Sequence, residues 1–195
     1  MIDPERDALV VVDVQNDFCP GGSLAVPHGD EVVPTLNQAI RKFNAAGAPI
    51  FASRDWHPQK TKQFKEYGGV WPPHCVQGTR GAEFHPDLEL PRDGIVVSKG
   101  MDPDTDSYSA FQAEDENGMP FSAALGEKGA QRLFVGGLAT DYCVKATVLD
   151  ALREGFEVIV LEDAIGAVDV SPGDGDTAIA EMKAHGAAFA TTKDL

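Results

Sequence analysis

Six short runs rich in β-branched and other apolar residues recur along the chain, and they constrain the fold more than any other feature. They are ALVVVDV at 8–14, PIFASR at 49–54, GIVVSK at 94–99, RLFVGG at 132–137, FEVIVL at 156–161 and AAFAT at 187–191. Several are continuously apolar, which is typical of strands that are covered on both faces. The runs therefore predict a buried sheet of about six strands.

Helical patterns lie between these predicted strands. The apolar residues of segment 32–43 follow helical spacing and stop at Gly47, a residue type that commonly ends helices. A second stripe covers 144–152 and ends near Gly155, and a third helix is predicted over 176–185. Alternating strands and helices indicate a parallel sheet with right-handed crossovers. The expected fold is α/β, a three-layer α/β/α sandwich around a parallel sheet.

The composition is that of an ordinary folded protein with an acidic surface. The 195 residues are 43% hydrophobic and 24% charged, and no linker or repeat divides them. One domain over residues 1–195 is therefore expected. Acidic residues outnumber basic ones by 31 to 16, and the net charge of -15 repels phosphate backbones and anionic lipids. Nucleic acid and membrane partners are not expected.

Two features of the sequence bear on cellular location. The first residues, MIDPERDALVVVDVQ, lack the apolar core of a signal peptide, and no segment approaches the length of a membrane span. The three cysteines, Cys19, Cys75 and Cys143, are odd in number and lack CxxC spacing. This argues against a disulfide framework and against a structural zinc ribbon. A reducing, cytoplasmic location is expected.

Reactive side chains gather at the carboxyl ends of four predicted strands. They are Asp13, Asp55, His57, Lys99 and Cys143, the last in the turn GLATDYC. Ligands of open α/β sheets bind at this edge. The long aperiodic segments 55–93 and 100–119 follow the same edge, and loops of this length are usually functional. The sequence therefore predicts a functional site there.

Cys143 has the setting of a nucleophile. Thr140 is expected to N-cap the following helix and place the sulfur in its first turn, where the helix dipole favours a thiolate. Asp13 and Lys99 each end a buried strand, where an ion pair would hold two otherwise costly charges. Together the three supply a nucleophile, a general base and a cation. Taken singly, the cysteine can be a small buried residue and the charges can lie in solvent.

A metal site is predicted beside these residues. Asp55 and His57 are two residues apart, so in an extended segment both project to the same side and can bind one ion. His74, which follows two rigid prolines in WPPHC, is the expected third ligand. This set accommodates zinc, iron or manganese, of which zinc is the expected ion. The alternative is that both histidines lie exposed in loops.

Seven segments of the chain closely resemble nicotinamidases of the isochorismatase-like superfamily, in the same order. They are VVDVQNDFCPGGSLAV (11–26), RDWH (54–57), WPPHCVQGTRGAEFHP (71–86), SKG (98–100), YSAF (108–111), DENG (115–118) and GLATDYCV (137–144). The resemblance implies a catalytic triad of Asp13, Lys99 and Cys143.

The resemblance also implies the metal ligands. They are Asp55, His57 and His74, with water completing the coordination of one divalent ion. Gln63 occupies a position at which some members of the family add a histidine or a carboxylate. The resemblance therefore leaves a fourth protein ligand open.

The substrate site follows from the same resemblance. Backbone N–H groups of Ala139 and Cys143 are expected to form an oxyanion hole, with a cis peptide bond between Leu138 and Ala139. The residues expected to line the substrate pocket are Phe18, Trp71, Tyr108, Leu138 and Tyr142. Tyr142 stands where relatives often have histidine, which changes the pocket wall.

The activity implied is that of a metal-dependent cysteine amidohydrolase. It converts nicotinamide and water to nicotinic acid and ammonia through a thioester, in NAD salvage, and is expected to accept pyrazinamide. One alternative is another cysteine amidase of the superfamily, acting on a carbamoyl or related amide; such relatives generally lack the metal ligands. A catalytically silent metal- or ligand-binding protein is another. The expected partner is a small-molecule substrate, and a homo-oligomer stays open.

Overall fold

The computed structural model covers residues 1–195 and contains six strands and four α-helices. The strands are β1 (Asp7–Val12), β2 (Ile50–Asp55), β3 (Ile95–Lys99), β4 (Arg132–Leu138), β5 (Glu157–Gly166) and β6 (Ala188–Ala190). The helices are α1 (Val32–Ala46), α2 (Phe121–Glu127), α3 (Lys145–Arg153) and α4 (Asp174–Ala184). All six predicted strands and all three predicted helices are present. Helix α2 was not predicted, because seven residues are too few to establish a helical period.

The strands form one parallel sheet in the order β3-β2-β1-β4-β5-β6, as the alternating pattern predicts. From β1 the chain builds outward to β2 and β3, then returns to the other side of β1 and builds outward again. The order therefore reverses between β1 and β4. In open α/β sheets a reversal of this kind opens a crevice at the carboxyl ends of the two strands.

Helices cover both faces of the sheet, which confirms the three-layer arrangement. Alternate residues of β1 face opposite layers: Leu9 and Val11 pack with α1, while Val10 and Val12 pack with α2, α3 and α4. Because both faces are buried, β1 shows the continuous apolar run seen in the sequence. The longest helix, α1, has 15 residues, and no helix is long and apolar enough to span a bilayer.

The two long loops contain short 3-10 turns but no α-helix or sheet strand. Isolated bridges fasten the first loop to itself and to the end of β1. They pair Gln15 with Phe84, His57 with Val76, and Phe64 with Trp71. The loop is thereby held over the carboxyl ends of the central strands.

An ion pair joins the two central strands at their amino-terminal ends. The Nε and Nη2 atoms of Arg132 donate to the two carboxylate oxygens of Asp7 at 2.8 and 2.7 Å. Asp7 is fully buried, whereas the Arg132 side chain remains 24% exposed. Without Arg132, the buried Asp7 carboxylate would keep only the backbone N–H of Asp3, which donates to Oδ2 at 2.8 Å.

Replacing Arg132 by Met is expected to lower the free energy of unfolding by about 3 kcal/mol, because the buried Asp7 charge loses its partner. Arg41→Met is the matched control. Arg41 also pairs with a carboxylate, Glu89 at 2.6 Å, but the two side chains are 57% and 55% exposed. Losing that pair should cost less than about 1 kcal/mol. Urea denaturation measures both variants; equal losses would contradict the special role of the buried pair.

Candidate active site and metal centre

The predicted reactive side chains meet in one buried cluster at the reversal of strand order. Asp13 follows β1, Asp55 and Lys99 end β2 and β3, and Cys143 lies in the turn after β4. All four are buried, and Cys143 retains 7% exposure. The side chains predicted at the ends of four separate strands thus lie together in the structure.

The three residues of the expected triad are in contact. Lys99 Nζ lies 2.9 Å from Asp13 Oδ2 and 3.6 Å from Cys143 Sγ. The Ser53 hydroxyl donates to Asp13 Oδ1 at 2.7 Å and fixes the carboxylate from its other side. A carboxylate oxygen of Asp13 and Cys143 Sγ belong to one group of atoms within 4.8 Å of one another. A nucleophile, a carboxylate and a cation therefore share one site.

Lys99 has a second acidic partner that the sequence did not indicate. Its ammonium group also contacts Asp55 Oδ1. Asp55 and Lys99 are register partners on neighbouring parallel strands, so their side chains emerge side by side. Lys99 therefore links the triad to the cluster that contains Asp55.

Burial and charge set the protonation of the triad. Burial raises the pKa of Asp13 above its ordinary value, although Lys99 acts in the opposite direction. Burial likewise raises the pKa of Cys143 well above its ordinary value, again against the effect of Lys99. Burial alone would lower the pKa of Lys99, but Asp13 and Asp55 raise it well above its ordinary value. Lys99 is thus a cation, Cys143 rests as a thiol, and Asp13 has an increased affinity for a proton.

Two expectations about the turn that bears the cysteine are wrong. Thr140–Val144 form a single π-helical turn after Ala139, and no side chain caps it; α3 begins only at Lys145. Thr140 lies inside that turn, so its hydroxyl cannot act as the N-cap. The expected preference of Cys143 for thiolate is also not found, because burial raises the pKa of its thiol well above the ordinary value, against the effect of Lys99. The cysteine therefore requires a base.

Asp55, His57 and His74 converge on a second centre. The Nε2 atoms of His57 and His74 lie 3.5 and 3.7 Å from Asp55 Oδ2. The Nδ1 atoms lie 3.0 Å from the Gly100 carbonyl and 2.8 Å from the Pro72 carbonyl, respectively. A carbonyl oxygen only accepts hydrogen bonds, so each Nδ1 is engaged as a donor, and Nε2 is the ring nitrogen that each histidine turns toward Asp55.

This arrangement fits a divalent metal ion. The three ligand atoms lie within 4.8 Å of one another, and all three residues are buried. The Nε2 atom of His57 is buried without a hydrogen-bond partner, which is costly unless it binds something. One carboxylate and two neutral imidazoles form a donor set that zinc, iron and manganese accept. The histidines are therefore not exposed loop residues.

Gly100 is required for this geometry. Its φ is +71°, a conformation that favours glycine, and a Cβ atom there would lie 2.4 Å from Cε1 of His57. The same residue supplies the carbonyl that orients His57. The glycine after Lys99 in SKG is thus explained by the approach of an imidazole ring.

The candidate substrate pocket opens beside both centres. It has an empty volume of about 460 Å³, open mouth included, and ten of its 14 lining residues are hydrophobic. All five residues expected in the pocket line it: Phe18, Trp71, Tyr108, Leu138 and Tyr142. Cys143, Asp55 and His74 also line it, whereas Asp13, Lys99 and His57 do not. The pocket thus exposes the sulfur and part of the metal cluster to a ligand.

Aromatic contacts fix the pocket walls. Trp71 Nε1 donates to the Tyr108 hydroxyl oxygen at 3.0 Å, and the Trp71 and Tyr142 rings pack edge to face with centroids 5.1 Å apart. The ring centroids of Phe18 and His74 lie 5.6 Å apart. Tyr142 is therefore a packing partner of Trp71.

The carboxyl end of β4 offers a backbone donor for the expected oxyanion hole. The Leu138–Ala139 peptide bond is cis, as the resemblance implies. Ala139 and Cys143 line the pocket, and the backbone N–H of Ala139 donates to no acceptor in the protein. That N–H is free to bind an oxygen atom of a ligand.

The sequence did not reveal which residues support these groups. Gln15 is buried and clamps the backbone of Asp55: its Oε1 accepts from Asp55 N at 2.8 Å and its Nε2 donates to Asp55 O at 2.8 Å. The Asp141 carboxylate accepts from the N–H groups of Val168 and Asp169 at 3.0 and 2.9 Å. This holds Val168 in the pocket wall. Gln15 and Asp141 both lie inside segments that resemble the family, 11–26 and 137–144. That position was the signal in the sequence that could have pointed to them.

Further pocket residues were also missed or left open. The structure adds Leu24, Val26, Gln63, Ser107 and Val168 to the lining. Gln63, the position at which the resemblance left a fourth ligand open, is buried and donates from Nε2 to the Thr105 carbonyl at 3.2 Å. Its amide group is thus partly engaged with the protein.

Gly100→Ala is expected to weaken the binding of a divalent metal ion by about 10-fold or more, because the new methyl group displaces the His57 ring. Gly118→Ala is the control, since Gly118 also has a positive φ, +79°, but nothing lies within 4 Å of its Cβ position. Chelator competition measures the affinity of each variant. Identical affinities in the two variants would place the metal elsewhere.

Comparisons with known proteins relate nearly the whole chain to one family. Residues 7–194 match the model of the isochorismatase domain. The nicotinamidase of Escherichia coli (strain K12) is 42% identical over 206 residues, covering 96% of this chain and 95% of the relative. The nicotinamidase/pyrazinamidase of Mycobacterium tuberculosis is 41% identical over 182 residues, covering 90% and 92%. The solved structure of the pyrazinamidase of Pyrococcus horikoshii in complex with zinc has a TM-score of 0.88 and 46% identity, covering 95% of this chain and 99% of that one.

Proposed function

Because the chain belongs to the isochorismatase family, we propose that it hydrolyses nicotinamide to nicotinic acid and ammonia. The observation that carries this function is the pocket, in which Cys143 lies together with the metal-cluster residues Asp55 and His74. Relatives named nicotinamidase match nearly the whole chain, which supports the same activity here. We place the reaction in NAD salvage and treat residues 1–195 as one hydrolase domain. The three unpaired cysteines favour a reducing, cytoplasmic location.

In the first half of the reaction, Asp13 takes the proton of the Cys143 thiol and the sulfur attacks the carboxamide carbon. The raised pKa of Asp13 makes its carboxylate a stronger base for this step. The N–H groups of Ala139 and Cys143 bind the developing oxyanion. Asp13 then gives the proton to the amide nitrogen, the C–N bond breaks, and ammonia leaves behind a thioester.

In the second half, water replaces the sulfur. Asp13 takes a proton from the water molecule as its oxygen attacks the thioester carbon. The C–S bond breaks, nicotinic acid forms, and the proton on Asp13 returns to the sulfur of Cys143. Throughout, the Lys99 ammonium group holds Asp13 in place at 2.9 Å and offsets negative charge on the sulfur.

The residues proposed to hold the metal are Asp55, His57 and His74. A bound divalent ion supplies a Lewis-acid contact for the pyridine nitrogen and so orients the ring. Zinc is the proposed ion, supported by the zinc complex of the Pyrococcus horikoshii pyrazinamidase, and iron or manganese are the alternatives. The aromatic walls exclude water around the ring. Pyrazinamide has the same shape and is proposed as a second substrate.

A carbamoyl amidase of the same superfamily is the less favoured function. Such relatives generally lack the metal ligands, whereas here three buried ligand atoms converge within 4.8 Å. The nicotinamidase relatives also cover more than nine tenths of the chain. Both observations favour a pyridine carboxamide over a carbamoyl compound.

Replacing Cys143 by Ala is expected to abolish ammonia release from nicotinamide while the thermal midpoint of unfolding stays close to that of the unmodified protein. Limited treatment with iodoacetamide should modify Cys143 before Cys19 and Cys75, because Cys143 lines the pocket and the other two do not. Activity measurements and peptide mapping test these two statements. Near-native turnover by the folded alanine variant would overturn the mechanism.

Nicotinamide should exceed benzamide in kcat/KM by about a hundredfold or more, because benzamide keeps the shape but lacks the ring nitrogen. The comparison requires both amides, assayed with metal-replete and metal-stripped enzyme. His74→Ala, which removes one proposed ligand, should greatly reduce the preference. If the preference survived metal removal, the metal would not select the substrate, and the carbamoyl amidase would become the better assignment.

A further inference from the structure

Ser107 is a pocket residue to which neither the triad nor the metal site gives a role. It lies in the long segment between β3 and α2, is 6% exposed, and lines the pocket together with Asp55 and Cys143. It also shares a second cavity with Lys99, which places it between the pocket and the carboxyl end of β3. Ser107 is therefore near the reacting groups.

The hydroxyl of Ser107 is buried and has no hydrogen-bond partner in the protein. The hydroxyl groups of the two residues that follow it are engaged. The Ser109 hydroxyl accepts from Phe111 N at 3.1 Å, and the Tyr108 hydroxyl oxygen accepts from Trp71 Nε1 at 3.0 Å. A buried hydroxyl without a partner is unfavourable, so such groups in native proteins are nearly always met by a ligand or an ordered water. In this case the pocket is where that partner would lie.

The chemistry of the proposed substrate indicates which atom meets the hydroxyl. Nicotinamide has three polar atoms: the ring nitrogen is assigned to the metal cluster and the carbonyl oxygen to the oxyanion hole. The amide nitrogen, with two N–H donors, faces Asp13 alone among the assigned groups. Gln63, Tyr108 and Tyr142 also line the pocket and carry acceptor oxygens, but Ser107 supplies the buried hydroxyl that lacks a partner. A serine hydroxyl accepts from an N–H group and also donates to an oxygen.

We propose that the Ser107 hydroxyl binds the reacting carboxamide, accepting from its N–H group in the substrate and donating to the second carboxylate oxygen in the product. This role rests on the proposed function. It assigns a recognition residue for primary carboxamides, and it concerns the reacting group rather than the ring. Nicotinamide, pyrazinamide and other primary amides share that group, so all should depend on Ser107 to a similar extent.

The test compares Ser107→Ala with Ser109→Ala. Binding of nicotinamide is measured by calorimetry in a Cys143→Ala background, where no turnover interferes, and binding of nicotinate is measured with active enzyme. Ser107→Ala should weaken both by about 5- to 10-fold, as expected for loss of one hydrogen bond. The thermal midpoint of the free variant should be unchanged or raised, because the hydroxyl removed has no partner in the protein.

Ser109→Ala should show the opposite pattern. Ser109 is also buried, but its hydroxyl caps the turn Ala110–Gln112. Losing the cap should lower the thermal midpoint and leave nicotinamide and nicotinate affinity unchanged. The two variants together separate a ligand contact from a structural hydrogen bond.

Three results would overturn the role of Ser107. Unchanged affinity for nicotinamide and nicotinate in Ser107→Ala would show that the hydroxyl does not meet the ligand. A loss seen for pyrazinamide, titrated in the same Cys143→Ala background, but not for nicotinamide would place the hydroxyl at the ring instead of the carboxamide. Failure of the unmutated protein to bind or hydrolyse nicotinamide would overturn the proposed function itself, and this appears before any variant is made. The first two results leave that function standing.

Discussion

The rest of the site depends on one buried ammonium group, that of Lys99, which allows charged side chains to lie close together. It contacts Asp13 and Asp55 and lies 3.6 Å from the sulfur of Cys143. Two carboxylates this close and this deeply buried would repel each other and take up a proton if no cation stood between them. A metal ion bound to Asp55 would share in neutralising the same carboxylate. The reaction centre and the metal centre are therefore electrostatically linked through one lysine.

The parallel sheet explains how residues far apart in the chain reach that lysine. Asp55 and Lys99 are register partners at the ends of β2 and β3, and the backbone N–H of Asp13 bonds to the Ser53 carbonyl at 3.1 Å. Asp13 has a φ of +48°, so the chain leaves the strand direction just where its carboxylate must turn toward Lys99. Because β4 lies on the other side of β1, the turn that follows β4 and bears Cys143 lies beside these residues.

The strand ends, and with them most of the cluster, could be predicted because a residue's place at the end of an apolar run is visible in the sequence. The Lys99–Asp55 contact could not, since it depends on the register of two strands and joins residues 44 positions apart in the chain. Gln15 also looked like an ordinary motif residue, because its partner Asp55 belongs to another strand. The prediction of an N-cap at Thr140 was wrong for a different reason: the π-helical turn is local structure that propensity rules do not anticipate.

The buried thiol clarifies why this site needs a carboxylate and a lysine rather than a helix terminus. Burial raises the pKa of both Cys143 and Asp13, so the base gains proton affinity together with the thiol that it must deprotonate. A thiolate stabilised permanently by a helix dipole would be a weaker nucleophile, because nucleophilicity falls with pKa. Burial instead keeps a strongly basic sulfur protonated, and the Lys99 ammonium group stabilises the negative charge that forms when Asp13 takes the proton.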